Sequence, residues 1–114
     1  MPIPHSESAV VPAEKLTDYL LNLSHPVGGP KARWFQSHGF VVESAESLKE
    51  CLLGIARTSD DFAEEMTLYG AKYVGRGELE CPDGARPRIV TVWIVETGTL
   101  APRFVTAYPD EVDS

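Results

Sequence analysis

The chain has 114 residues, with 17 acids against 10 lysines and arginines, a formal net charge of −7, and a composition that is 43% hydrophobic and 24% charged. That is the profile of one globular domain able to bury a core without disulfides or metal. The acidic balance argues against non-specific nucleic-acid binding, because phosphates need Lys and Arg to displace their counterions.

Residues 1–12 carry three prolines and no hydrophobic period, so a mobile N-terminal arm is expected there. They also lack the basic start and long apolar run of a secretory signal. No later stretch approaches the roughly 20 apolar residues of a membrane span, and a cytoplasmic protein without membrane contact is expected. Pro12 with Glu14 suits a helix start, and Leu16, Tyr19, Leu20 and Leu23 fall on one stripe. "HPVGG" is a turn by composition. "PKARWFQSHGF" then predicts a helix of about two turns, with Ala32 and Phe35 inward and Gly39 as its C-cap. Lys31 and Arg33 fall in its first turn, against the helix dipole. Side chains set against a local preference point to a second task, or simply extend into water.

Ser44 begins the clearest helix, whose stripe is Leu48, Leu52, Ile55 and Ala56, with Cys51 and Leu53 flanking. Its outward acids read as a solvated face. The period then changes from near four to two. "MTLYGAKYVGRGELE", "RPRIVTVWIVE" and "PRFVTAY" are β-rich. Pro82-Asp83-Gly84 suits a three-residue hairpin loop with Gly84 left-handed. That turn pairs Tyr73 with Trp93, Gly75 with Thr91 and Glu78 with Arg88. The next connection is expected to set Trp93 by Phe104, Thr91 by Thr106 and Ile89 by Tyr108.

Alternation then assigns the faces. Val74, Val90, Val92, Ile94, Val105 and Ala107 are expected against the helices. Tyr73, Gly75, Ile89, Thr91, Trp93, Phe104, Thr106 and Tyr108 form an aromatic outer face, and such a face usually contacts something. The competing readings are that the N-terminal arm covers it or that the two faces are exchanged. The expected architecture is α+β: about three N-terminal helices on one face of an antiparallel sheet of three to four strands. A single domain over 13–109 follows the arm, and 110–114 form an acidic tail.

His5, His25 and His38 are not at ligand spacings and no HExxH or CxxC is present, so no metal and no cofactor are expected. Cys51 and Cys81 read as reduced structural thiols. The glycine-rich stretches lack the order of a phosphate loop. What remains is a cationic and polar set: His25, Lys31, Arg33, His38, Arg88, Thr91, Arg103, Thr106 and Tyr108. Histidine or lysine with arginine and threonine can move the 2′-hydroxyl proton and stabilise a phosphorane. Any anion-binding surface would show the same set.

"EKLTDYLLNLSHPVGGPKARWFQSHGF", "YGAKYVGRGELECPDGARPRIVTVWIVETG" and "PRFVTAYP" together resemble a small bacterial domain of unknown function. Its pattern is a "KLxxYLLN…HPxGxxKAxxF" start, a "TVW" strand and a "VTAYP" end, over roughly residues 13–109. Members occur alone, beside antitoxin-like genes, and at the ends of larger secreted or phage head proteins. The order of helices then antiparallel sheet is similar to the barnase–EndoU–colicin–RelE group of metal-independent ribonuclease toxins. By matching motif the resemblance singles out Lys31, His25, Thr91 and Thr106 as catalytic. Around them Arg33, Arg88 and Arg103 would hold phosphate, and Tyr73, Trp93 and Tyr108 would stack a base. The acidic net charge departs from such toxins.

Two function classes are therefore expected. One is a toxin-type ribonuclease acting on RNA, with a cognate antitoxin as partner. The other is a non-enzymatic interaction module or antitoxin or immunity-type protein that binds a partner through the aromatic sheet face.

Overall fold

Residues 2–22 and 29–110 are described in the computed structural model. His25, most of the His25–Gly29 turn, Leu23 of the first stripe and residues 111–114 of the tail lie outside them. The architecture is α+β. Helices α1 (Ala13–Lys15), α2 (Gly29–Ser37) and α3 (Ala45–Thr58) precede strands β1 (Phe62–Thr67), β2 (Gly70–Glu78), β3 (Arg88–Glu96) and β4 (Arg103–Pro109). The four strands form an antiparallel meander in the order β1-β2-β3-β4. No helix among the described residues is long and apolar enough to cross a membrane.

The helices form where the stripes lie. Ala32 and Phe35 of α2 are buried, and Gly39 (φ 98°) turns the chain after it, a conformation favouring glycine. Leu48, Leu52, Leu53, Ile55 and Ala56 of α3 are buried. Helix α1 continues into Leu16–Leu20, which is wound as a π turn, closed by the Leu21 N–H on the Leu16 carbonyl at 2.7 Å. That extra residue per turn buries Leu21 beside Leu16 and Leu20 and turns Tyr19 toward the sheet edge.

The β2–β3 register pairs Tyr73 with Trp93, Gly75 with Thr91 and Glu78 with Arg88, as the turn chemistry predicts. Gly84 is left-handed (φ 88°), and the Cys81 N–H reaches the Ala85 carbonyl across the three-residue loop. "MTLYGAKYVGRGELE" is not one strand but parts of two. Leu68 and Tyr69 turn the chain, and the Thr67 hydroxyl holds the turn by donating to the Gly70 carbonyl at 2.8 Å. At β3–β4, Trp93 faces Phe104 as expected, but a bulge beyond it puts Thr91 opposite Ala107, Val92 opposite Thr106 and Ile89 opposite Pro109.

Two expectations are corrected. For β2, β3 and Phe104 the sheet faces are exchanged: Tyr73, Ile89, Thr91, Trp93 and Phe104 are buried with Phe35, Phe40, Leu16, Leu20, Leu48 and Leu52, whereas past the β4 bulge the expected sides hold, with Ala107 in the core and Thr106 and Tyr108 outside it. Aromatic side chains remove the most apolar area from water, so they take the helix-covered side. Val90 and Val92, on the other face, are also buried. Residues 2–12 are not a separate arm. Ile3, Ala9 and Val11 join the core, and Val10 pairs in parallel with Arg103, exchanging backbone hydrogen bonds with Pro102 and Phe104 at 2.8 and 2.9 Å.

Candidate functional site

One polar group joins three separate parts of the chain. Lys31 of α2 donates to the Tyr19 hydroxyl at 2.7 Å and to the Thr106 hydroxyl of β4 at 3.3 Å. Tyr19 and Thr106 are 3.1 Å apart, which closes the triangle. The Lys31 ammonium also lies over the rings of Tyr19 (5.1 Å to the centroid) and Tyr108 (5.9 Å), and Lys15 approaches the Tyr19 ring at 5.7 Å.

Each member is placed by a local feature. Lys31 sits in the first turn of α2, the π turn aims Tyr19, and the β4 bulge turns Thr106 and Tyr108 away from buried Ala107. Burial would raise the Tyr19 pKa. The hydrogen bonds to Lys31 and Thr106 and the charges of Lys31 and Lys15 outweigh it and draw the phenol below its ordinary value. The group can bind an anion with an ammonium and two hydroxyls, beside an aromatic ring.

Of the residues singled out in the sequence, Lys31, Thr106 and Tyr108 come together. Thr91 does not join them. It is fully buried in the middle of β3, accepts the Trp93 indole N–H at 3.0 Å and lies 3.5 Å from the Gly75 carbonyl. Trp93 is fully buried too. Tyr73 is buried, and its hydroxyl donates to Glu64 at 2.6 Å; burial first, then that bond and the Glu64 charge push its pKa up to about 12. The arginines are engaged elsewhere: Arg103 pairs with Glu96 at 3.0 Å, and Arg88 with Asp61 at 3.4 Å and Asp110 at 3.8 Å. Arg33 is exposed on α2. The sequence marks Tyr19 only as a stripe residue; its hydroxyl, reaching β4 across most of the chain, carries no signal there.

Elsewhere, His38, Cys81 and Asp83 are the one group among the described residues that could hold a metal ion. Neither thiol is an activated nucleophile. Burial, followed by neighbouring acids, raises the Cys51 pKa, and burial, then Asp83 and Cys51, raises that of Cys81 to about 11.

Against this geometry stand the comparisons with known proteins. No curated protein matches the chain in sequence. One chain of a contact-dependent growth inhibition toxin–immunity protein complex from Klebsiella pneumoniae 342 has a similar structure. The TM-score is 0.73 at 16% identity, over 90% of this chain and 100% of that one, and at such identity the likeness shows the fold. A family model described as Domain of unknown function (DUF6883) matches residues 2–111, and since it spans nearly the whole sequence, the chain belongs to that family.

Proposed function

We propose that this chain is a toxin-system protein: a metal-independent, toxin-type ribonuclease domain that acts on RNA at the Lys31–Tyr19–Thr106–Tyr108 group. The observation that carries the reading is the convergence of the Lys31 ammonium with two hydroxyls on one point of the β4 edge. The similar fold in a toxin–immunity complex supports the setting.

In this reading Lys31 binds the non-bridging phosphate oxygens. It has three N–H bonds, two of them directed at Tyr19 and Thr106. As the 2′-oxygen attacks phosphorus, the hydroxyls of Thr106 and Tyr19 donate to the charge that builds on the phosphorane. His25, in the chain just ahead of α2, takes the 2′-hydroxyl proton as the 2′-O–P bond forms; the P–O5′ bond breaks, and the leaving 5′-oxygen takes a proton from the Lys31 ammonium, giving a 2′,3′-cyclic phosphate and a 5′-hydroxyl. Tyr108 stacks a base and exposed Arg33 steers the backbone. Thr91, Tyr73 and Trp93 act through the core rather than on substrate, and Arg88 and Arg103 through their ion pairs.

The test is incubation of pure protein with total RNA and tRNA in EDTA, beside expression in a bacterium. Cleavage and growth arrest are expected, both abolished by Lys31→Ala and strongly reduced by Thr106→Ala. No cleavage by the unaltered protein, or cleavage indifferent to Lys31→Ala, removes the enzyme reading.

One observation favours a second reading, a partner-binding antitoxin or immunity-type protein. Met66, Leu68, Tyr69 and Leu100 are exposed at one end of the sheet, where the Thr97 N–H bonds the Tyr69 carbonyl; Leu68 is 96% exposed. Such an apolar patch fits a protein partner. Harmless expression with tight binding to the product of a neighbouring gene would select this reading.

A further inference from the structure

We propose that His38, Cys81 and Asp83 form a zinc site that clips the end of α2 to the β2–β3 loop. The site is separate from the Lys31 group, and the inference stands whether or not the chain cleaves RNA.

A thiol sulfur, an imidazole nitrogen and a carboxylate oxygen, one from each residue, all lie within 4.8 Å of one another. His38 Nδ1 and Asp83 Oδ2 are already 2.9 Å apart. Tetrahedral zinc, at about 2.0–2.2 Å from nitrogen and oxygen and about 2.3 Å from sulfur, holds such atoms somewhat over 3 Å apart. Seating the ion therefore needs only small side-chain movements. A thiolate and a carboxylate balance its two charges, leaving the imidazole neutral. The mixture of soft and borderline donors selects zinc over magnesium or calcium, which prefer oxygen alone. Three protein ligands leave one position for water.

The backbone holds the ligands in place without the ion. The Asp83 N–H donates to the His38 carbonyl at 3.3 Å, tying the two loops together. Left-handed Gly39 lets Pro82 pack against it; a Cβ there would lie 2.9 Å from the proline ring. Asp83 spends its other oxygen on the Ala85 N–H at 2.9 Å, which fixes the carboxylate. The Trp34 ring, 4.8 Å away edge-on, fixes the imidazole. Partners of this kind orient metal ligands. In sequence order the three residues form no motif, because His38 is separated from Cys81-x-Asp83 by α3, β1 and β2.

The test is titration of EDTA-treated, reduced protein with Co2+, read by thiolate-to-cobalt charge-transfer absorbance, followed by Zn2+ competition and thermal unfolding. The expected result is a band that saturates at one equivalent, is bleached by Zn2+, and accompanies a rise in unfolding temperature with Zn2+. His38→Gln and Asp83→Asn change partly exposed side chains, and an unchanged far-UV circular dichroism spectrum is the expected check that each variant folds. Each should weaken binding by more than the roughly 10- to 100-fold typical of losing an outer-shell partner. Cys81→Ser should remove the band and Cys51→Ser should keep it. Absence of the band in the unaltered protein, its survival in both His38→Gln and Asp83→Asn, or its loss in Cys51→Ser alone would each overturn the proposal.

Discussion

The Trp93 indole N–H donates to the Thr91 hydroxyl at 3.0 Å, two residues away on the same face of β3 and wholly inside the core. This bond gives the fully buried Thr91 side chain a structural task. Thr91→Val keeps the shape but leaves the indole N–H without its acceptor. A loss of about 1–3 kcal/mol is expected by urea denaturation, with Thr91→Ser largely restoring it. If the chain is the ribonuclease proposed above, cleavage per folded molecule should not change. A Thr91→Val protein that is fully stable but inactive would return Thr91 to the site and contradict this assignment.

Two of the four tyrosines should titrate apart. Tyr19 is drawn below its ordinary value, so its phenolate forms before that of Tyr73 as pH rises, and Lys31→Met should move that step upward. Tyr73 is held protonated to about 12. An unfolded tyrosine ionises near pH 10. The stabilisation from neutral Tyr73 is therefore complete below about pH 10 and is lost as pH climbs toward about 12. The Tyr19 contribution has the opposite sign: it is present above about pH 10 and lost as pH falls through its lower folded value. Phenolate difference absorbance on Tyr19→Phe and Tyr73→Phe separates the two steps. An unchanged low-pH step in Tyr19→Phe would count against the Lys31–Tyr19 bond in solution.

The hairpin and the unusual position of Lys31 are both legible in the sequence, for different reasons. Pro82-Asp83-Gly84 fixes loop length through a left-handed glycine, and loop length sets which residues pair, so Tyr73–Trp93 and Glu78–Arg88 could be read directly. Lys31 stood out because a cation in a helix's first turn opposes the dipole. Alternation, by contrast, divides a strand into two faces without saying which is inside. Here both faces carry apolar residues, and side-chain size decided it. The β4 bulge and the π turn each add one residue to a regular repeat. Neither leaves a period or a glycine to mark it, and together they bring Thr106 to Tyr19 and take it away from Thr91. The prolines of residues 1–12 suggested an irregular chain, which is correct, but irregular chain can still bury Ile3 and Val11 when a sheet edge offers it hydrogen bonds.

That N-terminal segment can be weighed directly. Ile3 is 3% exposed. Ile3→Ala should cost about 2–5 kcal/mol if the contacts are those of a core, and close to nothing for a detached arm. Equilibrium unfolding measures the difference, and a change under about half a kcal/mol, within the range of ordinary surface substitutions, would return the segment to the role of an arm.

Gly75 supplies a last check on how β1 meets β2. It pairs with Phe62, and a Cβ on it would run into the Phe62 ring and the Asp61 carbonyl. The phenyl ring occupies the place of the missing side chain and is buried there. Gly75→Ala should therefore push β1 outward and destabilise by about 1–3 kcal/mol, an overpacking effect that outweighs the gain alanine would otherwise bring to an extended strand. Gly84→Ala is the contrast, since nothing lies near its Cβ and only its φ of 88° resists the change. If the clash is real, trimming the ring in a Gly75→Ala, Phe62→Leu double variant should recover part of the loss. Simple additivity of the two single losses in chemical denaturation would show that Phe62 does not fill that space.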